Sequence, residues 1–423
     1  MTESVPPQPH QPDRPDAHGE LDAPALLLTG ARLGDGRVVD VRLGGGRIEA
    51  VGTAGSLTTA DEPNARVDLG GYLLLPAPAE PHAHLDSALT AGPDGPPSDA
   101  PEEVQRRVTE AALLQLGHGA TAVRTHVRVG DVQGLAALEA VLKARRSLRG
   151  LVELTAVAMP RLLTGVAGAD GLAMLRDAVK MGAAVVGGIP DLDPDPTGYV
   201  EAVLGVAAEA GRPVDLHTDG GDPARLARLA AMAGGLRPGV TISPCGRLGA
   251  LPADTRQRVA HQLAAAGVSV VCLPQGGCGA LDRGGSGVGV FRTLRAAGVR
   301  AAAGSGALRD AANPVGRGDP LEAAFLLASY GECGARTAYE AVAGRAREVL
   351  GLPEVRVEAG FPAELLAVRG QRVDGVLSLG YSRIVIHRGR VVSRTSAVRE
   401  YADCATTAAL DLPRQSRSGG APA

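Results

Sequence analysis

From residue 72 to residue 306 one pattern recurs: a short apolar run of strand length, then an alanine-rich stretch with apolar residues at helical spacing. The runs are YLLLPAPAEPHAH (72–84), TAVRTHV (121–127), LVELTAVAMP (151–160), AAVVGGIP (183–190), PVDLHTD (213–219), GVTISPC (239–245), VSVVCLP (268–274) and VRAAAGSG (299–306). Their spacing, roughly 25–35 residues, suits one βα unit each, and eight such units predict an α/β fold of the (β/α)8 TIM-type barrel class. An open doubly wound sheet permits the same alternation, but no G-x-G-x-x-G follows the first run. The flanks have another rhythm. Residues 25–52 alternate short β-type runs with Gly and Asp turns, and the style returns at 361–370 and 383–394. These distant segments are expected to pair into one small side domain. The expected division is a tail at 1–22, a composite β domain from 23–70 plus 354–400, a barrel at 71–353, and a tail at 401–423.

Composition narrows the class. The chain has 423 residues, 45% of them hydrophobic, which fits a globular protein. No apolar run approaches the ~18 residues of a membrane span. The first 22 residues are polar and proline-rich, without a basic segment followed by an apolar one, and read as a disordered tail, as does PRQSRSGGAPA at the other end. Five cysteines without a C-x-x-C pair argue against a disulfide framework and a zinc knuckle, so a cytoplasmic protein is expected. A net charge of −3, 2% aromatic residues and no tryptophan exclude the basic field and stacking platforms of a nucleic-acid binder. Lys143 and Lys180 are the only lysines, so arginine carries nearly all the positive charge and each single arginine is weak evidence.

Candidate chemistry gathers at the ends of the runs. Of nine histidines, His82 and His84 end run one, His126 ends run two and His217 ends run five. Active sites of such barrels lie at the C-terminal ends of the strands. Alternate residues share a face, so His82 and His84 both aim into the barrel mouth, and His217 lies across it. Three imidazoles suit one divalent metal, zinc or ferrous iron, with a position left open for water.

PAEPHAHLDSALTAG, AVRTHVRV, AVAMP and PVDLHTD, in that order and spacing, resemble the cytosine deaminase group of the amidohydrolase superfamily, from about Ala25 to Arg394. The resemblance implies a barrel with a β-sandwich side domain and a mononuclear metal that activates water to displace an amino group. It makes His82, His84 and His217 the ligands. Other positions depart from the family pattern. Gly220 stands where a glutamate shuttles protons, Pro244 where a histidine ends run six, Gly306 where an aspartate ends run eight, and Arg161 where a glutamine reads the pyrimidine. Glycine and proline transfer no protons, and each positioned acid–base group is worth about 10²–10⁴-fold, so ordinary cytosine deamination is expected to be negligible. Asp219 and Asp310 are the nearest substitute carboxylates. Their competing readings are a turn or cap residue and a solvated loop residue. Cys245, beside Pro244, is either a soft ligand or buried filler. Arg161, Arg247 and Arg309 follow runs three, six and eight and, with His126, are the candidate substrate-binding groups for a small, anionic ligand. The expected function is metal-dependent hydrolysis of a non-peptide C–N bond. The alternative is a non-catalytic small-molecule-binding or regulatory member of the same fold. A homo-oligomer is the partner expectation that the resemblance adds.

Overall fold

Sixteen strands fall into two sheets in the computed structural model, which describes residues 25–57, 65–92, 97–130, 134–276 and 289–398. The expected tails therefore lie outside the described residues. The first sheet holds β1 (Leu26–Arg32), β2 (Val38–Gly44), β3 (Arg47–Thr53), β4 (Ala65–Asp68) and β5 (Tyr72–Pro76) from one end of the chain. The barrel strands come next: β6 (Ala79–Ala83), β7 (Ala122–Val129), β8 (Glu153–Pro160), β9 (Val185–Gly188), β10 (Val214–Thr218), β11 (Val240–Pro244), β12 (Ser269–Cys272) and β13 (Arg300–Ala303). Then β14 (Leu365–Arg369), β15 (Arg383–His387) and β16 (Arg390–Thr395) return to the first sheet.

The barrel strands pair in sequence order, each parallel to the next. A parallel bridge between Ala83 and Gly306 brings the last turn of the ring to the first. The architecture is thus a nearly closed (β/α)8 barrel with helices around it. Both faces of its strands are covered, which is why β6 and β10 are buried at every residue, their polar side chains included. Asp-Pro pairs begin several of the surrounding helices. Asp195, Asp222 and Asp319 each accept hydrogen bonds from the first free backbone N–H groups, and the proline after each preforms the first turn.

The second sheet is mixed, in the order β16-β15-β14-β5-β1-β2-β3, with β4 beside β1. Its seam is the antiparallel pairing of β5 with β14, where Leu73 faces Val368 and Leu75 faces Leu366. Leu28, Leu43, Ile48, Leu74, Leu365 and Ile386 form its own apolar core. Strand pairing thus places Tyr72–Pro76 in the side sheet, although the sequence pattern runs them on into the first barrel strand. Pro76 and Pro78 separate β5 from β6, since proline has no N–H to continue a ladder. Arg383 of β15 ties the two parts together. Its guanidinium donates to both oxygens of Asp319 at 2.8 and 2.7 Å, the same carboxylate that caps the helix Pro320–Ser329. Among the described residues no helix is long and apolar enough to cross a membrane.

Candidate metal centre

Three strand ends carry polar residues at every second position on the inward face. Glu80 and His82 lie on β6, with His84 just beyond it. Arg124, His126 and Arg128 lie on β7, and Asp215 and His217 lie on β10. In an apolar barrel, such polar side chains are tolerated only when each finds a partner. Here most do. Arg124 donates to Asp215 at 2.9 Å, both groups being almost wholly buried. Ser243, on β11, has its Oγ 2.8 Å from His82 Nδ1. Glu80 accepts from the backbone N–H of His82 at 3.0 Å and from that of Ser305 at 2.8 Å, and also from the Ser305 hydroxyl. That carboxylate therefore bridges the first strand of the barrel to the loop after the last. Burial pushes it up to about 7, against the pull of the Ser305 bonds.

The four imidazoles of His82, His84, His126 and His217 converge, each with a ring nitrogen within 4.8 Å of the others. The His84 and His217 Nε2 atoms are 3.0 Å apart. Two nitrogens on one tetrahedral ion, with bonds of ~2.0–2.1 Å, would be about 3.3 Å apart, so these two rings sit within a few tenths of an ångström of a ligand edge. Burial, reinforced by mutual repulsion, holds His82 and His217 well below the ordinary imidazole range and pushes His84 down to about 3. All three are therefore neutral at pH 7, the state in which an imidazole binds a metal. Two buried ring nitrogens, His126 Nε2 and His217 Nδ1, have no hydrogen-bond partner, and neither has Asp215 Oδ1. His126 Nε2 is 3.3 Å from that oxygen, too poorly aligned for a hydrogen bond, while its Nδ1 lies 3.3 Å from the Ala83 carbonyl. Converging ring nitrogens, two of them buried without a hydrogen-bond partner, fit a divalent metal of the zinc or iron type by donor chemistry.

The other sequence candidates have different surroundings. His126, expected at the substrate, stands inside the histidine cluster, because it shares the inward face with Arg124. No carboxylate joins that cluster among the described residues. Asp219 spends one oxygen on the Gly221 N–H at 2.7 Å and the other on Arg247 at 3.2 Å. Asp310 accepts from the N–H groups of Ala312 and Asn313 in a turn, at 2.8 and 3.1 Å. Arg161, Arg247 and Arg309 are all exposed, and Arg247 is neutralised by Asp219. Cys245 is buried, with left-handed backbone at φ +53. The residues that sequence reasoning missed are Glu80, Arg124, Asp215 and Ser243. The first three carried a readable signal, each lying two residues before a histidine on the same strand.

The two glycines that depart from the resembled pattern have left-handed backbone. Gly220 has φ +74, and a Cβ built on it would stand 3.1 Å from the Cys245 Cα. Gly306 has φ +70, and its Cβ would press on the end of the Leu273 side chain at 3.2 Å, with the Gly276 carbonyl at an ordinary contact distance of 3.7 Å. Both lie in the left-handed region that side chains rarely enter.

The chain thus combines a parallel barrel, a composite side sheet and a histidine cluster at the C-terminal ends of the barrel strands. Comparison with known proteins agrees. No family model matches the chain. In sequence, it is 27% identical over 390 residues to a pterin deaminase of Rhizobium rhizogenes, covering 84% of this chain and 88% of the relative. In structure, it superposes with a TM-score of 0.77 on N-isopropylammelide isopropylaminohydrolase from Burkholderia multivorans, at 28% identity, covering 88% of this chain and 99% of that one. A 5-methylcytosine deaminase from Klebsiella pneumoniae gives the same TM-score of 0.77 at 26% identity, covering 89% of this chain and 99% of the other. The relatives are deaminases and amine-releasing hydrolases that act on C–N bonds.

Proposed function

We propose that the chain is a metal-dependent hydrolase acting on a non-peptide C–N bond of a small nitrogen heterocycle, with His82, His84 and His217 holding one zinc or ferrous ion. The observation that carries this reading is the convergence of buried, neutral imidazoles on one point. A divalent ion bound there supplies Lewis-acid activation of water. The residues around it fix the ligands. Ser243 at His82 Nδ1 turns the other nitrogen of that ring toward the cluster. Three imidazoles on the ion keep one position open for water, and His126, with its Nε2 3.3 Å from Asp215 Oδ1, stands beside them. Substrate and leaving group differ from those of cytosine deamination, because Gly220, Pro244 and Gly306 offer no proton-transfer group. Those same three residues favour a second reading, a small-molecule binder that retains the pocket and the metal without turnover.

The test couples elemental analysis of the purified protein with release of ammonia or alkylamine from pterin, 5-methylcytosine and N-isopropylammelide. About one equivalent of zinc or iron, lost in His217→Ala, with turnover of one amine and none of cytosine, is the expected result. Turnover that persists in the metal-free protein overturns the hydrolase reading, and stoichiometric metal with no turnover on any amine transfers the site to the binder.

A further inference from the structure

Arg128 is the one member of the inward-facing series on β7 that is exposed. Arg124 and His126, below it on the same strand, are buried in the barrel, and β7 pairs in unbroken register with β8 from Ala122 to Val129. The pleat therefore carries Arg128 on the same side as His126, two residues or about 6.6 Å further toward the open end. Arg124 is neutralised by Asp215. Arg128, among the described residues, makes no hydrogen bond and no ion pair, although its charge reaches His84, His217 and Asp86. Asp86 feels this charge but forms no ion pair with Arg128 among the described residues. An exposed guanidinium on the inward side of the strand, one step above the histidine cluster and without a hydrogen bond or ion pair among the described residues, is arranged to receive an anionic group from the ligand.

We propose that Arg128 is a specificity-determining residue that binds a carboxylate carried on the heterocycle, holding it above the histidine cluster. A single guanidinium matches a single planar carboxylate through two parallel hydrogen bonds and balances its one charge. A phosphate dianion would need a second cation, and Arg247, the arginine that follows β11, is already paired with Asp219. The assignment rests on the hydrolase-type site described above for its ligand's shape, but not on turnover.

The experiment is isothermal titration calorimetry of the metal-loaded wild-type protein with cytosine, cytosine-5-carboxylate and cytosine-6-carboxylate, repeated with Arg128→Gln and Arg128→Lys. The wild type is expected to bind one carboxylate at least tenfold more tightly than cytosine. Arg128→Gln should abolish that preference with metal content and melting temperature unchanged, and Arg128→Lys should restore part of it. Equal binding of the neutral and carboxylated rings, binding of none of them, or a preference that survives Arg128→Gln each overturns the proposal. Arg161→Gln serves as the comparison: loss of the preference there instead assigns the anion to Arg161 and also overturns it. Metal content and amine release, read on the same preparations, report the hydrolase reading separately, so the two can fail independently.

Discussion

Replacing Asp215 by asparagine removes one charge from the floor of the histidine cluster and leaves Arg124 as an unpaired cation in the barrel. Their contact is 2.9 Å, with side-chain exposures of 3% and 0%. At an effective dielectric of about 20, two unit charges at that distance attract by about 6 kcal/mol. Desolvation cancels much of this in the intact pair, but it is not recovered when one partner is lost. Breaking a buried pair from one side costs about 3–5 kcal/mol. Asparagine keeps an oxygen for Arg124, so the expected loss lies near the lower figure. The removed oxygen Oδ1 also lies beside His126 of the histidine cluster, at 3.3 Å from its Nε2.

The assay is equilibrium urea denaturation of wild type, Asp215→Asn, Arg124→Gln and the double variant, with chelator present throughout so that metal adds nothing by mass action. Each single variant should lose about 3 kcal/mol, and the double variant should lose distinctly less than the sum. Additive losses, or an Asp215→Asn protein within 1 kcal/mol of wild type, would show that the pair is not a coupled buried unit.

Asp319→Asn removes the carboxylate that both caps a helix and receives Arg383; it should lower stability by about 3–5 kcal/mol, read as a shift in urea midpoint. Burial alone would raise the Asp319 carboxyl, but the Arg383 bonds outweigh it and hold it below the usual range. Its contribution is therefore complete above the unfolded carboxylate value and fades as pH falls through the lower folded value, so the wild type should lose more stability than Asp319→Asn on acidification below pH 4. Gly306→Asp should fold with a loss of about 1–2 kcal/mol, since aspartate tolerates left-handed backbone and only the flexible Leu273 side chain must give. Gly220→Glu should cost more, because the Cys245 backbone stands in the way; equal melting temperatures for the two variants would refute the distinction.

The barrel was legible because its signal is periodic. Strands buried on both faces, such as β9 and β12, read as short apolar runs, and their recurrence at βα spacing leaves few alternatives. The histidines at strand ends were legible for the same reason, since position in the repeat fixes which end of the barrel they occupy. The seam between β5 and β6 was not, because strand pairing across about 290 residues leaves no mark in local pattern beyond two prolines. The inward series Glu80, Arg124 and Asp215 could have been read from i, i+2 spacing, but charged residues in an apolar run look like interruptions until their partners are known. Ser243 had no such signal. Its role depends on β11 lying beside β10, which brings its hydroxyl to a histidine 161 positions away.

The site divides into two parts held by different physics. The histidine cage is built into the barrel: Glu80 links the first strand to the loop after the last, Arg124 and Asp215 form a buried pair, and Ser243 reaches His82 from across the ring. Losing any of these costs folding energy as well as chemistry. Gly220 and Gly306 lie beyond the strand ends in left-handed backbone, a conformation that disfavours any side chain there. Persistence of the cage therefore carries a structural explanation of its own and does not by itself demand catalysis. The enzyme and binder readings separate at the metal. If the ion activates water, chelation abolishes amine release; if the cage serves only to shape a pocket, chelation leaves the affinity for a carboxylated ring, anchored at Arg128, within a factor of two or three.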